Sequence, residues 1–165
     1  MNRMEKGKYA QVALEEVFRP IFRYERKMLA EGKIAYVEVD RTPRTTGIKA
    51  FDAFLRALEA GHRTVSGIAR EMGVNQQELS GLVHLVTGIP AGEFISAYQM
   101  HEVSLLLRYT DMTAKEIAHH CRLGTPANVA QRLQDTYGES ISQHRDWHRE
   151  EYDLGRFVLQ MPGEK

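Results

Sequence analysis

The chain has one cysteine, Cys121, among 165 residues, which excludes an internal disulfide and any zinc site built from several thiolates. It has no apolar run of roughly 18 residues, the length a helix needs to cross a bilayer. Its opening stretch, MNRMEKGKYAQ, lacks the apolar centre of an export signal. Neither a membrane partner nor export is expected, and the cytoplasm is the default location. Excess charge is missing too: Lys plus Arg and Asp plus Glu both total 22, whereas a domain that grips phosphates is usually basic. No glycine-rich phosphate loop or dinucleotide fingerprint is present, and Ser80, Ser140 and Ser142 lack the glycines of a nucleophile elbow. No enzymatic activity and no cofactor are expected.

What is present supports a folded domain. A hydrophobic content of 42% supplies a core. The charge is unevenly spread: residues 1–58 hold 12 basic and 8 acidic side chains, residues 59–149 hold 8 and 10, and residues 150–165 hold 2 and 4. The positive excess therefore lies at the front of the chain. There, Val12, Leu14, Val17, Phe18, Ile21, Phe22, Met28 and Leu29 recur at helical spacing, and with Pro20 they predict two packed helical pieces. Residues 34–39, IAYVEV, read as a strand. Residues 40–47 read as an exposed, basic linker carrying Arg41 and Arg44.

Beyond the linker one pattern is written twice. Thr64, Ile68, Ala69, Gly73 and Val74 recur 49 positions later as Thr113, Ile117, Ala118, Arg122 and Leu123, and Leu79, Val83 and Gly88 recur 50 positions later as Val129, Leu133 and Gly138. One inserted residue near Gly124 accounts for the changed offset. Each copy reads as a short helix, a tight turn and a second helix. Thr64 caps a helix to about Met72, Gly73 permits the turn, and Asn75 with Glu78 starts a helix ending near Gly88. Pro90 opens a long connector to about Tyr109, Thr113 with Glu116 starts the second copy, Thr125 with Pro126 starts its second helix, and Ser140 with Gln143 starts a last helix through Trp147. A preceding amphipathic helix carries Phe51, Phe54, Leu55 and Leu58.

The spacing of Gly73, Leu79, Gly88, Pro90, Leu106, Ile117, Ala118 and Gly138 resembles the double helix-turn-helix domain of the AraC/XylS family of bacterial transcription regulators, over about residues 51–147. That resemblance implies a mostly α fold, with a pair of helix-turn-helix units joined by a long connector helix. The expected divisions are an N-terminal helical extension with one strand and a basic linker (1–47), the double helix-turn-helix domain (48–149), and a tail (150–165). The first 47 residues are too few for the ligand-holding β-barrel often found in such regulators. In the tail, Phe157, Val158 and Leu159 form a second strand candidate, expected to pair with residues 34–39 in a two-stranded ribbon within the chain or between two chains.

The resemblance further implies that the second helix of each unit lies in the major groove of double-stranded DNA, the two grooves one helical turn apart. The positions matching the reading face are Gln77, Ser80 and Gly81, with Asn75, Gln76 and His84 nearby, then Thr125, Pro126, Ala127, Asn128, Ala130 and Gln131, with Arg132 adjacent. Gln77, Asn128 and Gln131 carry amides able to pair with adenine. Arg63, Arg70, Arg108, Lys115, Arg122 and Arg145 are candidate phosphate contacts. There are departures from the family pattern. Gly81 stands where an arginine is common, Arg122-Leu123 replaces Gly-Phe in the second turn, Val129 and Leu133 replace aromatics, and Ile141 and His144 replace the Pro and Tyr of the closing motif. An alternative reading is a protein-interaction module on the same scaffold with weak or lost DNA binding. A homodimer formed through the N-terminal region or the strands is a further expectation.

No metal is expected. His119, His120 and Cys121 are adjacent on a helix and point apart. His144 and His148 share a face at i,i+4, but the sequence places no third ligand beside them, and a solvated face is expected.

Overall fold

The computed structural model describes residues 11–161. They form α1 (Leu14–Val17), β1 (Tyr24–Met28), a 3-10 turn (Ala30–Gly32), β2 (Ile34–Glu38), α2 (Lys49–Glu59), α3 (Val65–Met72), α4 (Gln76–Thr87), α5 (Ala91–Tyr109), α6 (Ala114–His120), α7 (Pro126–Tyr137), α8 (Ile141–His148) and β3 (Phe157–Val158). The described residues divide into two compact units: residues up to 19 with 43–98, and residues 20–42 with those from 99 onward. The segment from residue 11 to residue 47 thus contributes to both units, and α5 runs from one into the other.

The first unit closes around aromatic side chains. Phe51, Phe54 and Phe94 pack as a trio with ring centroids 5.5 to 6.1 Å apart, and all three are buried. Ile68, Leu79 and Val83 add one buried face each from α3 and α4, the 3- and 4-residue spacing that turns a helix stripe inward. Phe18 packs on Tyr98 at 4.8 Å. The end of the linker is fastened rather than loose. Asp52 accepts from the Thr46 and Gly47 N–H groups, and the Arg44 guanidinium donates to the Glu15 carbonyl at 2.9 Å.

The second unit is built on Met100, Val103, Leu106 and Leu107 of α5, packed with Ile117, Leu123, Val129 and Leu133. Its sheet has the order β2-β1-β3, both pairings antiparallel, with Tyr24 opposite Glu38 on one side and Val158 on the other. Two expectations are corrected here. The helical spacing of residues 21–29 does not yield a helix: Tyr24–Met28 is the central strand, because it has a partner on each edge and a strand's hydrogen bonds come from its neighbours. Between Val12 and Leu29, where two helical pieces were expected, the four-residue helix Leu14–Val17 is the one that forms. The tail strand likewise pairs with β1, not with residues 34–39, so the two-stranded ribbon is a three-stranded sheet.

The two written copies fold alike. Thr64 and Thr113 are both N-caps, accepting from the N–H groups of Gly67 and Glu116, and Thr113 completes a capping box with Glu116. Gly88 and Gly138 both end their helices in the left-handed region, at φ 81° and 69°. The turn shows a physical inequality between them. Gly73 has φ 73°, and its counterpart Arg122 is forced to φ 61° despite its Cβ, a conformation that costs about 1 to 2 kcal/mol for a side-chain-bearing residue.

The end of α5 has a special solution for its orphan carbonyls. Arg145 of α8 donates to the carbonyls of Leu107 and Met112 at 3.1 and 2.8 Å. Arg149 donates to those of Leu107, Arg108 and Thr110 at 2.8, 2.8 and 2.7 Å. Just beyond, Asp153 is 3% exposed and receives the Arg108 Nε–H at 2.6 Å and the Glu150 N–H at 2.8 Å. Burial pushes the Asp153 carboxyl up, but these donors outweigh it and hold it below the ordinary aspartate value.

Two outcomes are expected. Because the Asp153 carboxyl is lowered in the folded state, its contribution is present above the unfolded value of about 3.9 and lost as pH falls through the lower folded value. Asp153→Asn should therefore flatten the acid limb of a stability-against-pH curve measured by urea unfolding. In the same assay at neutral pH, Arg122→Gly should stabilise by about 1 kcal/mol through relief of the left-handed turn, and Arg145→Ala should destabilise by about 2 kcal/mol through unpaired carbonyls.

Candidate nucleic-acid interface

Each second helix has an apolar inner face and a polar outer one. In α4, Leu79, Val83 and Val86 are buried, while Gln76, Gln77, Gly81 and His84 are exposed and Ser80 is half-buried. Asn75 is spent on the cap: its Oδ1 accepts from the Glu78 N–H at 2.8 Å and its Nδ2 donates to the Glu78 carboxylate at 2.6 Å. Gln76 and Gln77, in the first turn, are therefore the amides of this helix presented to solvent. A Cβ placed at Gly81 would meet nothing within 4 Å, so the missing arginine is an absence of reach, not a packing requirement. Sequence reasoning passed over Leu85, which is 80% exposed on the outer side of α4. An apolar side chain outside the inward stripe was the available signal, and the methyl of thymine is one group such a residue contacts.

In α7, Val129 and Leu133 face inward, and Pro126, Ala127, Asn128, Ala130 and Gln131 are exposed. Thr125 is the N-cap, accepting from the Asn128 N–H at 3.2 Å, and the Asn128 Nδ2 donates to the Leu123 carbonyl at 2.9 Å. The Asn128 amide thus braces the turn, and bidentate pairing with adenine would break that bond. Gln131 bonds Asp135 at 2.9 Å on the open surface, a contact readily exchanged. Arg132 is half-buried and reaches Gln99 Oε1 at 3.5 Å.

The candidate phosphate contacts divide sharply. Arg70, Lys115 and Arg122 are exposed. The other three are engaged within the fold. Arg63 donates to the Leu58 carbonyl and lies 5.2 Å from the Tyr98 ring centroid. Arg108 pairs with Asp153, and Arg145 caps α5. A guanidinium already given two or more internal partners loses them if it turns to a phosphate.

The expected solvated face holds for His148, which is exposed, and is corrected for His144. His144 is 1% exposed, its Nε2 is 2.8 Å from Ser104 Oγ, and its ring lies 4.8 Å from that of Tyr137. Burial pushes the His144 imidazole below its ordinary value. His148 Nε2 meets the Glu139 carboxylate at 2.9 and 3.0 Å. The sequence reading omitted Glu139 because it precedes the N-cap Ser140 and so lies outside the helical period.

Comparison with known proteins bears on this arrangement. Residues 68–146 match a family model described as a helix-turn-helix domain. No curated protein sequence matches the chain. Among solved structures, the fold is similar to the C-terminal domain of the two-component response regulator yesN from Fusobacterium nucleatum, with 20% identity, a TM-score of 0.55, and coverage of 59% of this chain and 98% of that one. It is similar to the C-terminal domain of AraT, a response regulator from Geobacillus stearothermophilus, with 22% identity, a TM-score of 0.54, and coverage of 61% and 89%. It is also similar to the DNA-binding domain of AdpA, a global transcriptional factor solved with a target DNA, with 18% identity, a TM-score of 0.53, and coverage of 59% and 90%. With two capped helix-turn-helix units in the same order and a family match that reaches into both, residues 68–146 form a helix-turn-helix domain, and its fold is the AraC-like pair of such units seen in these neighbours.

Proposed function

We propose that this chain is a sequence-specific DNA-binding transcription regulator, with α4 and α7 entering successive major grooves about 34 Å apart on one face of the duplex. The observation that carries the reading is the exposed, amide-bearing outer face of both second helices, Gln76 and Gln77 on one and Gln131 on the other, with their inner faces fully used by the cores. Amides at the start of a helix suit adenine edges, and Leu85 suits a thymine methyl. The AdpA domain, similar in fold, was solved with a target DNA. Of the six candidate phosphate contacts, Arg70, Lys115 and Arg122 are exposed, and with so few near the turns, base contacts and DNA shape carry a large share of the expected affinity.

A salt series of duplex binding by the purified chain tests this. Affinity should fall steeply from about 50 to 200 mM salt, and Arg122→Ala should reduce the slope of log affinity against log salt by about 1. In hydroxyl-radical footprints on a selected site, Gln77→Ala and Gln131→Ala should each lose protection in a different half-site, one helical turn apart. Negligible binding at both salt concentrations would favour the protein-interaction module, for which the neutral charge and the exposed Leu85 would then be the relevant features.

A further inference from the structure

Near the end of the second unit, ten residues of chain bring a carboxylate and two imidazoles together. Glu139 follows the turn glycine Gly138, Ser140 caps α8, His144 is the fourth helical residue and His148 the last. The residue before an N-cap and the fourth helical residue face one another, positions where an apolar pair commonly packs. Here that pair is Glu139 and His144, and His148 lies one turn further along the same face. One ligand atom from each of the three residues lies within 4.8 Å of the other two.

The tightest constraint is at His144. Its Nε2 bonds Ser104 Oγ at 2.8 Å, while its Nδ1 is buried and has no hydrogen-bond partner. That Nδ1 points to Glu139 Oε1 at 3.6 Å, too long for a hydrogen bond. The Ser104 contact fits either ring tautomer; in the one with Nε2–H donating to Ser104 Oγ, Nδ1 turns its lone pair toward the Glu139 carboxylate, the arrangement a metal ion requires. A cation between nitrogen and carboxylate bonds to both.

We propose that Glu139, His144 and His148 form a binding site for a divalent transition-metal ion of the zinc class, ligated by one carboxylate oxygen, His144 Nδ1 and His148 Nε2. Two imidazoles and a carboxylate suit zinc and its neighbours, whereas calcium and magnesium take oxygen sets. Ligand atoms around a tetrahedral zinc with bonds of about 2.0 to 2.1 Å lie roughly 3.3 Å apart. The Glu139 oxygen is already 3.6 Å from His144 Nδ1 and 2.9 Å from His148 Nε2. Only His148 has to move appreciably, and it is the exposed member of the set. Its open side leaves a fourth position for water. Ser104 supplies the outer hydrogen bond that fixes the ring and tautomer of a ligating histidine. The ion would tie the turn between α7 and α8, through Glu139, to α8 itself, and this holds whether or not the chain binds DNA.

The test uses the full chain, freed of metal by a chelator and titrated with Co2+ alone, then with Zn2+ in competition. One equivalent of Co2+ should give the visible absorption of a tetrahedral ion, and Zn2+ should displace it and raise the Tm by a few degrees. Glu139→Gln and His148→Ala should each weaken binding at least ~10-fold, and Ser104→Ala roughly 10-fold. His119→Ala should leave it unchanged. Folding of each variant is checked by circular dichroism, and since His148 is exposed its variant keeps the test decisive if Glu139→Gln is unstable. Absence of saturable binding up to about 100 μM metal, weaker than about −5.5 kcal/mol, overturns the proposal. So does unchanged affinity in both ligand variants, which would leave Glu139 and His148 as an ion pair only.

Discussion

The structure depends on how the long helix Ala91–Tyr109 ends. Its apolar residues serve two cores, Phe94 and Tyr98 in one unit and Met100, Val103, Leu106 and Leu107 in the other. A helix so heavily buried cannot leave the carbonyls of its last turn to water. Arg145 of α8 and Arg149, the residue that caps its C-terminus, take on those carbonyls together. Closing the second helix-turn-helix unit and finishing α5 are therefore one event, and neither α8 nor the end of α5 has its partners without the other.

This use of arginine separates the net charge of the chain from the charge at its surface. A tally of basic residues counts Arg63, Arg108, Arg145 and Arg149 as though each were a surface cation, yet their guanidinium groups hold carbonyls, an aspartate or an aromatic ring. The exposed cations near the two turns are a smaller set, Arg70, Lys115 and Arg122. Net charge consequently says little about this surface. What the outer faces of α4 and α7 offer is amide chemistry, with one exposed leucine and one glycine that leaves open space.

Most of the helical architecture was legible because its signals are local. Thr64, Asn75, Thr113, Thr125 and Ser140 each accept a hydrogen bond from a backbone N–H three residues ahead, and such caps show in the sequence as residue types at fixed offsets. The errors occur where the deciding partner is remote in the chain. Tyr24–Met28 has spacing that also suits a helix, and only its pairing with two other segments makes it a strand. Arg145 reads as a surface cation because its carbonyl partners lie 33 and 38 residues away. His144 reads as solvated because Ser104 is 40 residues distant. The Asn128 amide was a milder case: its carbonyl partner, Leu123, lies in the turn just before the helix, close in sequence but outside the helical period that guided the reading.

The register of the sheet has a consequence for biosynthesis. Tyr24 and Glu25 pair with Val158 and Phe157, more than a hundred residues downstream. As the polypeptide emerges from the ribosome, the hairpin of β1 and β2 can form early, but one flank of β1 keeps its amide and carbonyl groups unpaired until almost all of the chain described here has been made. A nascent strand with an open flank is a template for unwanted association. The late arrival of Phe157–Val158 covers that flank at Tyr24 and Glu25, so the last short strand acts as a vectorial seal on an assembly begun by the first.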